Sequence, residues 1–328
     1  MRAPSNAGHR TDTRLDGRRP AELAQAAAIA RRYYLDGASK SEIGAEFGLS
    51  RFKVARILDE ALATGLVRID IRLPVGFDTA LAQALQEQFG LRRAVVVDAG
   101  PDPDSEATVR RQLARATAAL LDEVVTAADV LGIGYGRTLT LLAEDVAALP
   151  PCPVVQLTGA LFGVNPGENS VELVRQIAAR SGGPCYSIYA PQVLPDARTA
   201  EQLRQQREVG ETYAQFDRVT KAVVAVGSWT PPRSQLHDSL SADQQAELAA
   251  AGVCAEVCAV LLDADGHLVA QDFTQRCISI GAAQLHAVPD VIAVAGGAAK
   301  AQALRAVIAG GYASSVVVDT SLATAMLA

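Results

Sequence analysis

Two glycine-rich segments have the residue types and spacing that suit binding of a small anion. In the first, the apolar residues 130–133 run into Gly134 and Gly136, and Arg137 and Thr138 follow directly. Glycines let the backbone approach a ligand closely, and a helix that begins here would offer its free amides and positive dipole end to an anion. Arg137 and the Thr138 hydroxyl would add a charge and a donor. The segment therefore predicts an anion-binding loop.

The second segment repeats this order of strand, glycine turn and helix. Val294 is followed by Gly296, Gly297 and then Lys300 in the first turn of the predicted helix. The helix dipole disfavours a cation at that end, so the lysine indicates that an anion sits nearby. Plain turn chemistry explains either segment alone, but two such loops at strand ends favour a small anionic ligand.

A dinucleotide cofactor is the obvious competitor for the first loop. Its glycines fall at positions 132, 134 and 136, but Arg137 stands where the third glycine of the dinucleotide fingerprint should be. An acidic residue at the end of a following strand is also missing at the expected distance. We therefore expect no cofactor.

Both loops need a sheet to position them. Beyond residue 81, helical stretches alternate with short β-branched runs, which predicts a Rossmann-like α/β domain over residues 78–328 with a mostly parallel sheet covered on both faces. The strands are expected at residues 94–97, 130–133, 154–157, 222–226, 257–262, 291–294 and 316–319.

The N-terminal part has a different pattern. Residues 1–20 have no apolar period and are interpreted as a flexible basic lead, and residues 22–35 predict a helix. Ser39 and Glu42 form a capping box for a second helix, and Ser50 caps a third. The alternation over residues 67–71 predicts a strand, so residues 21–74 are expected to form a winged helix-turn-helix.

The third helix is the one expected to contact double-stranded DNA. Its first two turns carry Arg51, Phe52, Lys53 and Arg56, which could reach base edges and phosphates in the major groove. A surface helix with a few basic residues remains the alternative. Residues 1–72 hold 13 Lys and Arg against 9 Asp and Glu, whereas the remainder holds 17 against 27. A mildly basic N-terminal segment followed by an acidic remainder is consistent with a DNA-binding module fused to another domain.

Composition limits the classes of protein that remain. With 328 residues, 49% hydrophobic and 20% charged, the chain has material for a small domain and a large one. Every apolar stretch is interrupted before it could span a bilayer, so no membrane association and a cytoplasmic location are expected. The five scattered cysteines favour buried reduced thiols over a metal site.

Taken together, these features resemble the SorC family of sugar-sensing bacterial regulators from about residue 22 to the end. The resemblance implies a regulator, usually dimeric or tetrameric, whose body is similar to phosphosugar isomerases and whose small effector, a sugar phosphate or a polyol, alters operator binding. It is carried by residues 39–58 and 132–139, the turns at 182–184 and 263–266, and the run from 295 to 320.

The resemblance also implies which residues contact the effector. By position, the family's effector-binding loop corresponds to Gly134, Gly136, Arg137 and Thr138, and a phosphate contact corresponds to Lys300. Glu256 falls on an acidic position suited to sugar hydroxyls, although a solvated charge at a strand start explains it nearly as well, and Asn169 and Ser170 match a further polar contact. Some members place a basic residue near Thr158, so threonine here argues against a doubly phosphorylated ligand and leaves room for an unphosphorylated polyol.

Two other functions remain open. The body could be a phosphosugar isomerase with an accessory DNA-binding domain, but His9, His237, His267 and His286 do not adjoin a patterned acid or nucleophile, so no catalytic residue is predicted. Alternatively, the chain could be a constitutive DNA-binding oligomer whose sugar pocket is vestigial. It would then show no ligand-induced shift in melting temperature.

Overall fold

The computed structural model describes residues 20–67, 76–98, 105–161 and 170–328. It divides into two compact units with the boundary between residues 74 and 75, and each unit is described by itself. Among the described helices, none combines the length and the apolar character that crossing a bilayer requires.

Three helices make up the described part of the N-terminal unit. They are α1 (Pro20–Tyr34), α2 (Lys40–Phe47) and α3 (Arg51–Ala63). The capping box is formed as predicted, because the Ser39 hydroxyl accepts from the amide of Glu42 while the Glu42 carboxylate accepts from the amide of Ser39. Helix α1 begins two residues earlier than expected, at Pro20, a residue suited to a first helical position.

A tight turn joins the second and third helices. Gly48 ends α2 with φ of 66°, and the Ser50 hydroxyl accepts from the amide of Lys53 to cap α3. Ile29, Ile43, Val54 and Leu58 pack together as the core. The predicted helix-turn-helix is therefore present. The predicted wing lies almost entirely outside the described residues, as does the basic N-terminal lead.

The larger unit is built on a seven-stranded parallel sheet in the order β1-β10-β9-β5-β2-β3-β4. A separate antiparallel sheet pairs β6, β7 and β8. The strands are β1 (Arg93–Val97), β2 (Leu131–Ile133), β3 (Val154–Gln156), β4 (Cys185–Tyr186), β5 (Lys221–Ala225), β6 (Gly227–Ser228), β7 (Ala255–Val257), β8 (Val260–Leu262), β9 (Asp290–Ala295) and β10 (Ser315–Asp319).

Helices cover both faces of the parallel sheet. Successive residues of a strand point to opposite faces of the sheet. Val154 and Val223 accordingly pack in one apolar cluster, and Val155 and Val224 pack in the other. The helices are α4 (Thr79–Phe89), α5 (Glu106–Val124), α6 (Leu142–Asp145), α7 (Ser170–Ser181), α8 (Ala197–Arg204), α9 (Arg207–Tyr213), α10 (Gln235–Ser239), α11 (Ala242–Ala250), α12 (Gln271–Gln275), α13 (Ala282–Ala287), α14 (Ala301–Ala309) and α15 (Thr320–Leu327), with 3₁₀ turns at Leu139–Leu141, Phe216–Arg218 and Ala298–Lys300.

One strand prediction was wrong. Residues 257–262 were expected to form a single strand, but the chain reverses at Cys258 and Ala259, which have φ of 49° and 62°, and pairs β7 with β8 as a hairpin. Two successive positive φ values define the turn that matches the twist of a two-residue hairpin. Neither residue is a glycine or an asparagine, so the sequence carries no turn signal there.

The cysteines also differ from expectation at one position. Cys152, Cys254, Cys258 and Cys277 are buried free thiols, whereas Cys185 is exposed on β4. That strand lies at the edge of the sheet, where side chains reach solvent.

Candidate functional site

A cavity of about 490 Å³ opens at the carboxyl edge of the parallel sheet. Connections after β2 run toward β4 and those after β5 run toward β1, so the strand order reverses between β2 and β5. Ligands of open α/β sheets bind at such a reversal. Residues that follow β2, β3, β5, β9 and β10 line the cavity, among them Gly136, Arg137, Thr138, Thr158, Gly227, Gly296, Gly297, Lys300 and Ser321.

The first glycine loop is held against β5. A side chain at Gly136 would collide with Ala225, so only glycine fits this approach. The Arg137 guanidinium pairs with the Asp238 carboxylate of α10. The helix predicted after this loop is only a 3₁₀ turn followed by the four-residue α6. The dipole of a long helix is therefore not available here, and the charge on this side of the cavity comes from Arg137.

Two of the predicted effector contacts are not among the described residues that line the cavity. Gly134 is buried, and a side chain at this position would crowd the Cys258 sulfur and the Val223 carbonyl. Ser170, at the start of α7, accepts a hydrogen bond from the Gln156 side chain at 3.1 Å and is not among the described residues that line the cavity. Asn169 lies outside the described residues.

The second glycine loop brings a cation to the cavity wall. Asp319 holds the loop by accepting from the amide of Gly297 at 2.7 Å. The Lys300 ammonium, after β9, donates at 2.6 Å to the carbonyl of Val226, which follows the neighbouring strand β5. Burial lowers the pKa of Lys300 to about 8, although the nearby Glu256 carboxylate works in the opposite direction. The lysine thus has partners before any ligand arrives.

Glu256 lies in the middle of β7 and lines the same cavity. The Ser234 hydroxyl donates to its Oε1 atom at 2.8 Å, and a side chain at Gly227 would meet that oxygen. Burial raises the pKa of Glu256, an effect that the Ser234 hydrogen bond and the charge of Lys300 reduce. The carboxyl group is therefore positioned as a donor or acceptor inside the cavity, and it is not a solvated surface charge.

Several residues that line the cavity were not predicted from the sequence. Arg110 and Glu106, one turn apart on α5, form an ion pair at 2.6 Å, and Arg233 lies 3.7 Å from Glu106. An i, i+4 pair of opposite charges is common on any helix surface, so its place at a cavity was not apparent from spacing. Arg233 and Ser234 belong to a proline-containing segment whose position depends on the small sheet.

Thr158 and Gln192 form an uncharged part of the wall. Both residues are buried, with 2% and 4% of their surfaces exposed, and both line the cavity. The Thr158 hydroxyl is buried and has no hydrogen-bond partner among the described residues. Buried polar groups are normally paired, so this hydroxyl, which has almost no exposed surface, is an exception among the described residues of the wall.

In the N-terminal unit, the predicted DNA contacts are exposed at the start of α3. Arg51, Phe52, Lys53 and Arg56 face solvent, while Val54 and other residues of the opposite face pack in the core. The Phe52 side chain is 69% exposed and its ring centroid lies 4.7 Å from the Arg51 guanidinium carbon. This arrangement leaves three cations and one aromatic ring available to a partner.

A small acidic cluster lies on the turn after β8. Asp263, Asp265 and His267 have ligand atoms within 4.8 Å of one another. The Asp263 carboxylate already accepts from the amides of Asp265 and His267, at 3.0 and 2.8 Å. These hydrogen bonds account for the cluster as the closure of a tight turn.

Known proteins share this organisation. The chain is 28% identical over 305 residues to the uncharacterized transcriptional regulator YjhU of Escherichia coli K12, covering 90% of this chain and 92% of that protein. It is 26% identical over 321 residues to the transcriptional regulator LsrR of Klebsiella pneumoniae, covering 97% of both. The full-length sorbitol operon regulator SorC from Klebsiella pneumoniae shares the fold, with a TM-score of 0.70 at 23% identity over 94% of this chain and 100% of that one.

The large unit also matches a protein family directly. The family described as "Putative sugar-binding domain" matches residues 74–328, which is most of the chain and includes all the described residues that line the cavity. With this domain and its similarity to regulators along nearly the whole chain, the protein belongs to the SorC family of sugar-binding transcriptional regulators.

Proposed function

We propose that this protein is a DNA-binding transcriptional regulator whose operator affinity is controlled by a small sugar phosphate or polyol. The observation that carries the proposal is the cavity at the carboxyl edge of the sheet, where Lys300 and Glu256 face the same space. A cation beside a buried carboxyl group suits a ligand that has both an anionic group and hydroxyl groups.

The anionic group of the effector is assigned to the two glycine loops. Gly136, Arg137 and Thr138 approach from one side and Lys300 from the other. Glu256 is assigned to hydroxyl groups of the same ligand, since a carboxyl group accepts from or donates to them according to its protonation.

The first turns of α3 are assigned to the operator. Arg51, Lys53 and Arg56 supply positive charge for phosphates and base edges, and Phe52 supplies an apolar contact such as a thymine methyl group accepts. A homodimer or homotetramer would present two such helices to half-sites about 10 base pairs apart or a multiple of that spacing.

We favour binding without catalysis. The described residues that line the cavity include a carboxyl group of raised pKa, Glu256, but no histidine. An isomerase would need a base placed against the substrate carbon, and Glu256 already accepts from Ser234. Turnover of an aldose or ketose phosphate that disappears in Glu256→Gln would overturn this view.

Thermal melting of the purified full chain against sugars, polyols and their phosphates is the first test. A ligand that binds only the folded protein raises the melting temperature, by an amount that grows with the logarithm of its concentration relative to its Kd. Each hit is then added to a binding assay with a duplex selected by the protein from a random pool. The proposal predicts a stabilising ligand that also changes DNA affinity.

The Arg56→Ala variant tests the DNA surface in the same assay. We expect DNA affinity to fall about tenfold and the dependence of log affinity on log salt to lose about one unit of slope. Arg207→Ala, which removes an exposed arginine from the other unit, should change neither quantity. An unchanged affinity in Arg56→Ala would move the DNA-reading surface elsewhere.

A further inference from the structure

Three arginines line the cavity at its rim, where it meets solvent, and each lies close to a carboxylate of the chain itself. Arg110, Arg137 and Arg233 keep 31%, 33% and 54% of their side chains exposed. The Arg137 guanidinium donates to the Asp238 carboxylate at 2.5 Å. The Glu106 carboxylate accepts from Arg110 at 2.6 Å through one oxygen, and its other oxygen lies 3.7 Å from Arg233. We call Glu106 and Asp238 the rim carboxylates.

We propose that the rim carboxylates compete with the anionic group of the effector for the rim arginines, and that they thereby lower the affinity of the cavity for phosphate. This inference rests on the proposed function and adds a regulation of the same site, an autoinhibitory contact built into its rim. A phosphate that binds Arg137 must replace Asp238 or share the guanidinium with that second anion. Both alternatives reduce the net gain from binding, because like charges at close range repel.

The rim carboxylates are positioned by their own helices. Asp238 lies on α10, 101 residues after Arg137, and this helix is fixed by the buried Leu236 and by the Ser234 hydroxyl, which accepts from the amide of His237. Glu106 lies in the first turn of α5, where the positive end of the helix dipole favours its ionised form. Each carboxylate therefore stays beside its arginine whether or not the arginine binds it.

The first glycine loop does not need Asp238 to keep its shape. The Thr140 hydroxyl donates to the carbonyl of Arg137 at 3.0 Å, and the Thr140 amide donates to the carbonyl of Gly136 at 3.1 Å. Gly136 itself lies against Ala225. Since the backbone is held in this way, removing the Asp238 charge should free the Arg137 guanidinium without releasing the loop that carries it.

The test uses calorimetric titration of the full chain with inorganic phosphate, D-ribose 5-phosphate and D-glucitol 6-phosphate, and with the two unphosphorylated parent compounds. Asp238→Asn keeps the shape of the side chain and should raise the affinity for phosphorylated probes about threefold to tenfold. Glu106→Gln should raise it about threefold, because its ion pairs are more exposed to solvent. The affinity for unphosphorylated probes should stay within about twofold in both variants, since they carry no charge.

Two further variants separate competition from other effects. Asp243→Asn removes an exposed carboxylate of α11 and changes the net charge equally, and its phosphate affinity should stay within about twofold of the parent chain because salt screens a distant charge. Asp238→Glu keeps the charge and should also remain within about twofold of the parent. Loss of folding cannot raise an affinity, and Glu106→Gln tests the same competition at a separate position if Asp238→Asn does not fold.

The outcomes that contradict the competition are distinct from those that contradict the proposed function. Unchanged or weaker phosphate binding in Asp238→Asn would overturn the competition for Arg137, and the same result in Glu106→Gln would overturn it for Arg110 and Arg233. An equal rise in Asp243→Asn would reduce the effect to net charge. All three results leave the proposed function intact. If no phosphorylated probe binds the parent chain or the double variant, the competition and the assignment of the anionic group to this cavity are both wrong.

Discussion

The cations of the two units are arranged differently. On α3, Arg51, Lys53 and Arg56 are exposed, and within the described part of the chain none of them forms an ion pair. Around the cavity, Arg137 is paired with a carboxylate and Lys300 with a backbone carbonyl. One surface offers cations that pair with no described carboxylate, and the other holds its charge in place before the ligand arrives.

This difference in the arrangement of the cations agrees with the difference in size between the two expected partners, a DNA duplex and a small anion. A duplex presents many phosphates, so exposed cations can bind by displacing condensed counterions, and the affinity depends strongly on salt. A small anion offers one charged group, and its binding depends on cations that are already oriented and partly shielded from water. We therefore expect the two surfaces to respond to different variables, salt for α3 and proton concentration for the cavity.

The largest expected effect comes from replacing one lysine in each surface, Lys300 at the cavity and Lys53 on α3. Lys300→Met should weaken a phosphorylated effector about 30- to 100-fold, because a charge-assisted contact in a partly buried site is lost. Lys53→Met should leave effector binding unchanged and weaken DNA binding about tenfold. Calorimetric titration and DNA-binding assays on both variants measure the four values.

The two lysine variants serve as controls for each other. Each removes one positive charge with a side chain of similar length, so a general effect of net charge would appear in both. If Lys300→Met weakened DNA binding in the absence of effector as much as Lys53→Met does, the division between the two surfaces would be wrong.

An intermediate effect is expected from pH. Burial lowers the pKa of Lys300 to about 8, and only the protonated lysine attracts a phosphate. Because the second pKa of a phosphate monoester is about 6, the ligand charge stays nearly constant above pH 7. Effector affinity should therefore fall about tenfold as pH rises from 7 to 9, when most of the lysine loses its proton.

The control for this pH dependence is Lys300→Met, in which affinity is already weak and should vary little between pH 7 and 9. Titrations of both proteins across that range check the expectation. A parent chain whose effector affinity is flat from pH 7 to 9 would mean that Lys300 does not contact the charged group.

The smallest expected effect concerns the start of α3. Ser50→Ala removes the hydroxyl that accepts from the amide of Lys53 and should lower the unfolding free energy of the N-terminal unit by about 1 kcal/mol. DNA affinity should fall only a fewfold, because the cations remain. Ser241→Ala, which removes the corresponding cap of α11 in the other unit, should leave DNA affinity unchanged. Thermal melting and DNA titration measure both variants.

The sequence by itself determined the local features whose causes lie within a few residues. The capping box of Ser39 and Glu42, the cap at Ser50 and the strand-glycine order at Gly136 and Gly297 involve neighbours in the chain, so residue types and spacing predict them. The alternation of helices and β-branched runs likewise predicted a parallel α/β domain, because a regular alternation of strands and helices is typical of a parallel sheet covered by helices. Strands β4 and β6 have two residues each and are too short to be recognised from the sequence pattern.

Only the tertiary structure decided which of the predicted residues share one cavity. Glu256 lines the same cavity as Lys300, and it does so from a hairpin that reverses at Cys258 without the usual turn residues. Arg110, Thr158 and Arg233 join the same cavity from segments far apart in sequence. Such contacts depend on strand order and on loop packing across the sheet, and those are set by the summed packing of the core and not by neighbouring residues.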